Sequence, residues 1–480
     1  MSYRYASLLL VAGCLAGCGS DETVSPQPSP DAGGPLPGPE EWNREVTPPP
    51  DVEAEEKRAA CGYQAGALPA ETQGASHPNG ADIPIDHIVV VMMENRSFDH
   101  YFQKLPEYGQ PDVEVAPASF TNPDPDGNPV APFHDTQFCF VDTNHGWGGT
   151  HRQINDGKMD GFVITNEGNH EQPVNGTLEM IAGKRSMGYY DETDLPFYYW
   201  LAKEFAIADH YHCSVPGPTW PNRMFLYAST SFGLTHNTFA ERGDADVLAD
   251  RLQKRELDWK IYGNGFVGYS MFPEVIIEYA SEHRFTLDDF YKDAAAGTLP
   301  QVAFVDPELA NESWSANDEH PPAMAQFGER FVAEVVDALA RSPAWGRSAM
   351  FLTYDEHGGL YDHVVPPAAC PPDDLPPNYK NDEYNDVGFD QLGVRVPMMV
   401  ISPYAKKQFV GHRLYDHTSI VRFIQARFVI PALSNRDANA EAPWEMFDFS
   451  APPHATPPEI PIPPEVDAAK REACEYIFDG

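Results

Sequence analysis

Basic residues are scarce in this chain: 32 Lys and Arg stand against 72 Asp and Glu in 480 residues, a formal net charge of −40. A surface so acidic repels phosphate backbones and anionic lipid alike, which excludes a nucleic-acid partner. No apolar run is long enough to span a bilayer, the candidate stretch at 7–16 being far too short. Cysteine is sparse, seven in all, and none sits in a CxxC pair, which argues against a cysteine-held zinc. No internal repeat occurs. What remains is a 42% hydrophobic chain, enough for one large core or a core with a subdomain.

The N-terminus reads as a targeting segment. Arg4 precedes the short apolar run, which ends in Leu15-Ala16-Gly17-Cys18. That ending resembles the lipobox of bacterial lipoproteins and is a better match than Val11-Ala12-Gly13-Cys14, which leaves too short a run. It implies a signal peptide over 1–18, acylation of Cys18, export, and a lipid anchor in the cell envelope, with simple secretion as the alternative. Residues 19–80 alternate small residues with proline around 25–30 and 34–39, the composition of an extended, flexible tether. The catalytic domain is expected over 81–450, and a Pro-rich tail over 451–480. Cys61, Cys139, Cys213, Cys370 and Cys474 are disulfide or buried-thiol candidates whose pairing spacing does not reveal.

Within the domain, Ile88-Val89-Val90-Val91-Met92-Met93 is a continuous apolar run, as in a strand buried on both faces. Similar runs lie at 301–305, 349–354 and 396–401. Helical patterns fall between them at 195–208, 224–229 and 323–340, and Asp416-His417-Thr418-Ser419 opens another over 420–428. The alternation predicts an α/β domain with a mainly parallel central sheet flanked by helices. Chemistry in such sheets sits beyond the carboxyl ends of strands.

Two strand ends carry oxygen ligands. One runs into Glu94-Asn95-Arg96-Ser97-Phe98-Asp99, the other into Asp355-Glu356-His357-Gly358-Gly359. Carboxylates gathered there call for a cation. A third element, Gly217-Pro218-Thr219-Trp220-Pro221-Asn222-Arg223, places Thr219 at a predicted helix N-cap, where N–H groups and the helix dipole favour phosphate. His145 and His151 lie in a Gly-rich loop, and His320 and His363 in two further loops, all able to bind phosphate or move a proton. Trp220, Phe225 and Tyr227 are core candidates that could otherwise line a lipid or choline pocket.

Glu94-Asn95-Arg96-Ser97-Phe98-Asp99-His100-Tyr101-Phe102 resembles the signature of the bacterial phospholipase C and acid phosphatase family, a relative of the alkaline phosphatase superfamily. The likeness continues in order through 145–162, 217–223, 317–322, 355–363, 395–403 and 416–419, and so covers roughly 83–430. It implies an alkaline-phosphatase-like fold. It implies that Glu94, Asn95, Asp355 and Glu356 hold one metal with Thr219, and that Thr219 is the nucleophile. His320 and either His145 or His151 then handle phosphate and protons. His357 and the 416–419 block are expected to be local structure and a helix start. An all-oxygen ligand set suits Ca²⁺, Mg²⁺ or Mn²⁺, with Zn²⁺ also open. The leading expectation is a phospholipase C cleaving phospholipid head groups. A broad-specificity acid phosphatase is the alternative, and an inactive surface binding protein the third reading. Oligomeric state is not legible.

Overall fold

In the computed structural model the described residues are 36–478, apart from 169–170, 175–176, 181, 312, 380–383 and 385–386. The lipobox and the first part of the expected tether lie outside them. Among the described residues no helix is long and apolar enough to cross a membrane.

The β-branched run forms β1, His87–Met93, whose residues after His87 are all buried. Seven more strands complete the sheet: β2 Ala206–Ala208, β3 Trp259–Tyr262, β4 Arg284–Phe285, β5 Val302–Val305, β6 Ser348–Tyr354, β7 Met398–Ile401 and β8 Phe409–Gly411. Their order is β4-β3-β5-β1-β6-β7-β2-β8. All run parallel except β7, which opposes both β6 and β2. The expected class, a mainly parallel sheet between helices, is what forms. β1 after His87 and β6 throughout are buried, and both are mostly apolar, as burial on two faces favours.

Register decides where the chemistry goes. His87 pairs with Ser348 and Met93 with Tyr354, so β1 and β6 end side by side. Glu94 and Asp355 therefore leave the sheet as neighbours, although they are far apart in sequence.

The helices that matter are α1 Asp51–Ala59, α2 Phe98–Phe102, α3 Trp147–Ile154, α4 Pro196–Glu204, α5 Thr219–Ala228, α6 Ala325–Arg341, α7 His417–Phe428 and α8 Ala468–Phe478. The pattern over 195–208 predicts one helix, but α4 stops at Glu204 and Ala206–Ala208 pairs into the sheet between β7 and β8. Asp416 caps α7 through the Thr418 N–H, in a capping box with Ser419, as that block predicts.

The tether expectation is corrected from residue 36 onward. Trp42 and Arg58 are buried, and the Arg58 guanidinium pairs with Glu441 at 3.3 Å. Cys61 is disulfide-bonded to Cys370. The proline-rich composition hides α1 because only Ala54 and Arg58 on it face inward. The expected tail over 451–480 is likewise held: His454 is buried, the Trp345 indole donates to its carbonyl at 2.9 Å, and Cys474 on α8 bonds to Cys139. Cys213 is a buried thiol.

Candidate active site

Asn95 turns the chain away from β1 with φ +59°, a left-handed conformation that asparagine tolerates better than most residues. Its N–H donates to Asp355 Oδ1 at 3.1 Å, and the Glu356 N–H donates to the same oxygen at 2.7 Å. Gly358, at φ +66°, lets the loop after β6 lie against this turn. A Cβ there would fall 2.3 Å from the Asn95 carbonyl oxygen. The two strand ends are thus knitted together by backbone, and their acids converge.

A fourth carboxyl joins them. The Asp318 carbonyl accepts the Glu94 N–H at 3.0 Å. Its loop is anchored by Glu319, whose buried carboxylate accepts the hydroxyls of Tyr101, Tyr198 and Tyr354. Burial lifts the Glu319 carboxyl to about 7, against the pull of those tyrosines and Arg96. That anchor also sets His320, whose N–H donates to Asp318 Oδ1 at 3.1 Å.

One buried arginine answers the acids. Arg223 Nε donates to Asp355 Oδ2 at 2.9 Å, and its Nη2 lies 3.3 Å from Glu94 and donates to the Met92 and Met93 carbonyls. Burial works against its charge, and Asp355 and Glu94 more than restore it. It is not enough for the group. Burial pushes the Asp355 carboxyl well up, and neighbouring Glu94 and Glu356 add to that despite Arg223. Burial and Glu94 raise Asp318 to about 9. Among the described residues three buried oxygens on residues of this knot have no hydrogen-bond partner: Asn95 Oδ1, Asp318 Oδ2 and Glu356 Oε1. Carboxylates with unpartnered oxygens and too little positive charge fit a hard divalent cation.

Thr219 opens α5, but as its first helical residue. Pro218 is the cap residue, and no side-chain cap bond forms. The N-cap expectation is corrected: proline holds the cap position and Thr219 follows it as the first residue of the helix. The expected cradle of N–H groups is also smaller. The Trp220 N–H is taken by Asn237 Oδ1 at 2.8 Å, and Pro221 has none. Asn222 holds the turn before the helix, exchanging hydrogen bonds with Val215 and donating to the Gly217 and Pro218 carbonyls at 2.9 and 3.2 Å. Arg223 sits one turn after Thr219, on the same helical face. The side chain that reaches Asp355 and Glu94 therefore ties α5 to the acids one turn after Thr219.

The histidines separate. His145 Nε2 lies 3.4 Å from Asn95 Nδ2 and 3.9 Å from Glu356, while Nδ1 meets the Thr143 carbonyl at 2.7 Å. Burial alone would lower its pKa, yet Asp142 and Glu356 raise it well above the ordinary histidine value. Its ring is 5.8 Å from that of His320. With Asp142 the two histidines form a cluster whose candidate ligand atoms lie within 4.8 Å of one another. His151 goes elsewhere: Nδ1 meets the Trp147 carbonyl at 2.7 Å and the ring stacks on Tyr384. His363 is tied to Asp99 at 2.6 Å, in a network that Arg395 closes with Asp362. His357 is buried against Gln153 at 2.7 Å. An open cleft of about 440 Å³ adjoins the histidine side, lined by residues including Asp142, His145, Gly149, Pro218, His236 and Asn237.

The sequence alone assigns no role to Arg223, Asp318 or the 235–237 loop. The i, i+4 spacing from Thr219 to Arg223 was the available signal. Nothing in the sequence pointed to Asn237.

Carboxyls converging at adjoining strand ends, a hydroxyl at a helix head and two clustered histidines form the equipment of an ester-hydrolysing enzyme. The sequence profile of the Phosphoesterase family matches residues 85–431, and the chain belongs to that family. It is 31% identical to the non-hemolytic phospholipase C of Pseudomonas aeruginosa over 84% of this chain, but spans only 62% of that protein. It is 32% identical to non-specific phospholipase C6 of Arabidopsis thaliana, over 83% of this chain and 79% of that one. It is 30% identical to phospholipase C B of Mycobacterium tuberculosis, over 83% and 84%. Solved structures overlap loosely. The lipoteichoic acid synthase LtaP of Listeria monocytogenes gives a TM-score of 0.38 at 8% identity over 82% of both chains, too distant to bear on the site.

Proposed function

We propose that this chain is a phospholipase C-type phosphodiesterase with Thr219 as its nucleophile. The observation that supports the reading is the in-register pairing of β1 and β6, which brings Glu94, Asn95, Asp355 and Glu356 together at one end of the sheet, where Arg223 of α5 bonds to Asp355. These four residues and Thr219 would hold one divalent cation, which supplies Lewis acidity to the phosphate and the threonine oxygen. The unpartnered Asn95 and Glu356 oxygens support that fit. Arg223 orients Asp355. Thr219 Oγ1 gives up its proton to solvent and bonds to phosphorus as the bond to the alcohol oxygen breaks. His145 or His320, both beside Asp142, gives that oxygen a proton, and water then cleaves the phosphothreonine.

The test is turnover of phosphatidylcholine, phosphatidylethanolamine, sphingomyelin and simple phosphate monoesters, each with and without chelator. Release of diacylglycerol from a phospholipid is the expected outcome. Hydrolysis of monoesters alone would make the protein a phosphatase, and no hydrolysis of either would favour a binding role.

Export and a lipid anchor at Cys18 belong to the same proposal, supported by the lipobox and by two disulfides, which persist in oxidising compartments. Cys18→Ser should shift the protein from the membrane fraction to the soluble one. Mass spectrometry that finds an unacylated mature N-terminus elsewhere would remove the anchor.

A further inference from the structure

Asp99 follows Asn95 by four residues and His363 follows Glu356 by seven. Each stands just beyond a pair of candidate metal ligands, and the two meet. His363 Nδ1 lies 2.6 Å from Asp99 Oδ2, and the His363 N–H donates to the same oxygen at 3.0 Å. Asp362 accepts the Asp99 N–H at 3.2 Å. The Ser97 hydroxyl, which caps α2, donates to the Tyr361 carbonyl at 2.5 Å. The loops that leave β1 and β6 are thus tied twice, once at the ligands and again here.

Charge decides what this second knot can hold. Asp99 and Asp362 are fully buried, and with His363 they offer ligand atoms within 4.8 Å of one another, a grouping that could take a cation. Arg395 already supplies one: its Nη2 donates to Asp99 at 3.0 Å and its Nε to Asp362 at 2.9 Å. Two buried carboxylates against one guanidinium leave one negative charge over, and His363 is the group placed to answer it. Burial works against its charge, but Asp99 and Asp362 lift its pKa above the ordinary histidine value. On the outer side, His363 Nε2 faces Glu114 at 3.6 Å, and Glu114 is shared with His210 at 2.9 Å. The ring therefore bridges a buried acid and a surface one. Among the described residues that line the cleft, none belongs to this knot, so His363 acts on the site from behind.

We infer that His363 is a positioning residue for the cation: held between Asp99 and Glu114, its ring fixes the spacing of the two loops that carry Glu94, Asn95, Asp355 and Glu356. The inference rests on the metal reading of those four residues and deepens it. In a metal site, the partners behind the ligands set ligand orientation, and losing one costs about ten- to a hundredfold in affinity.

The test reads Mn²⁺ binding by electron paramagnetic resonance, with the full chain first stripped by chelator and no substrate present. Nδ1 is the nitrogen bonded to Asp99, so two amides separate its role from that of bulk. His363→Asn carries a donor at about the reach of Nδ1, whereas His363→Gln carries it one bond farther. Glutamine should weaken Mn²⁺ binding about tenfold, and asparagine by no more than about twofold. Asp99→Asn should also weaken it about tenfold, and adding His363→Gln to it should cost little more, since both break one contact. With Mn²⁺ saturating, turnover by the glutamine variant should return to that of the parent, because the reaction uses neither residue. Thermal melts establish whether each variant is folded at the assay temperature. Equal affinity in the two amide variants overturns the inference. A glutamine variant unfolded at that temperature makes His363 a stability residue and overturns it too. Failure of Mn²⁺ to bind the parent itself overturns the metal reading, and the inference with it.

Discussion

Thr219→Ala is expected to lower turnover by roughly a thousandfold or more, since a lost nucleophile removes several kcal/mol of transition-state stabilisation. The structure sharpens this expectation in two ways. Pro218, not Thr219, holds the cap position of α5, so alanine at 219 removes no N-cap bond and the melting temperature should hardly move. The turn before it is fixed by Asn222 and the turn after it by Arg223, neither of which involves the Thr219 side chain. A large fall in activity would therefore be chemical, not a sign of local unfolding. Thr219→Ser keeps the oxygen and loses a methyl group, and should keep part of the activity. The measurement is turnover on one soluble ester beside thermal melts of all three proteins. A stable alanine variant at near-wild-type turnover would mean that water attacks phosphorus directly, and the phosphothreonine would have to be abandoned.

Much of this site is legible in the sequence because its parts announce themselves locally. A buried strand shows as an unbroken apolar run, and acids placed immediately after it fall at a strand end. Glu94 and Asp355 are both found that way. Residues whose meaning depends on distant partners are harder. Arg223 looks like one more helical arginine until Asp355 and Glu94 are brought to it by strand register. Asp318 looks like a loop acid until Glu319 is seen held by three tyrosines. The choice between His145 and His151 follows the same logic: His145 lies in the loop just before α3 and meets Asn95 and Glu356, whereas His151, on the helix itself, turns to the Trp147 carbonyl and Tyr384. The fold errs for a related reason. Ala206–Ala208 continues the apolar pattern of α4, and three residues are too few to show a period of their own. Residues 36–80 read as a tether because prolines at 37, 39 and 48–50 break up their start and no apolar residue recurs at a helical or strand period. Two inward residues of α1 and a disulfide to Cys370 are contacts that composition does not register.

Stripping divalent cations should abolish turnover and destabilise the protein, by an amount that grows as pH rises from 7 to 9. A ligand bound at a hundred times its dissociation constant stabilises by about 2.7 kcal/mol, so removal is visible in a melt. The pH dependence comes from the acids. Without the cation, burial and mutual repulsion hold Asp355 well above the usual carboxyl range and Asp318 at about 9. An unfolded carboxyl titrates near about 3.9. A group whose pKa is raised on folding favours the folded state fully below its unfolded value, and that advantage is lost as pH climbs to the folded one. The chelated protein should therefore lose stability steadily toward pH 9. With a cation bound, the ligand carboxyls are wanted in their charged form, so the loaded curve should be flatter. Glu319 at about 7 and Glu329 at about 8 bend both curves the same way, which is why the difference between them is the quantity to read. Buried histidines such as His417, held near 4, act in the opposite sense but only at pH values below the window. Asp355→Asn should shrink the difference, since it removes a charge that the cation answers. Loaded and chelated melts that coincide at pH 9 would show that the gathered acids hold no cation, and that Arg223 and the histidines alone balance them.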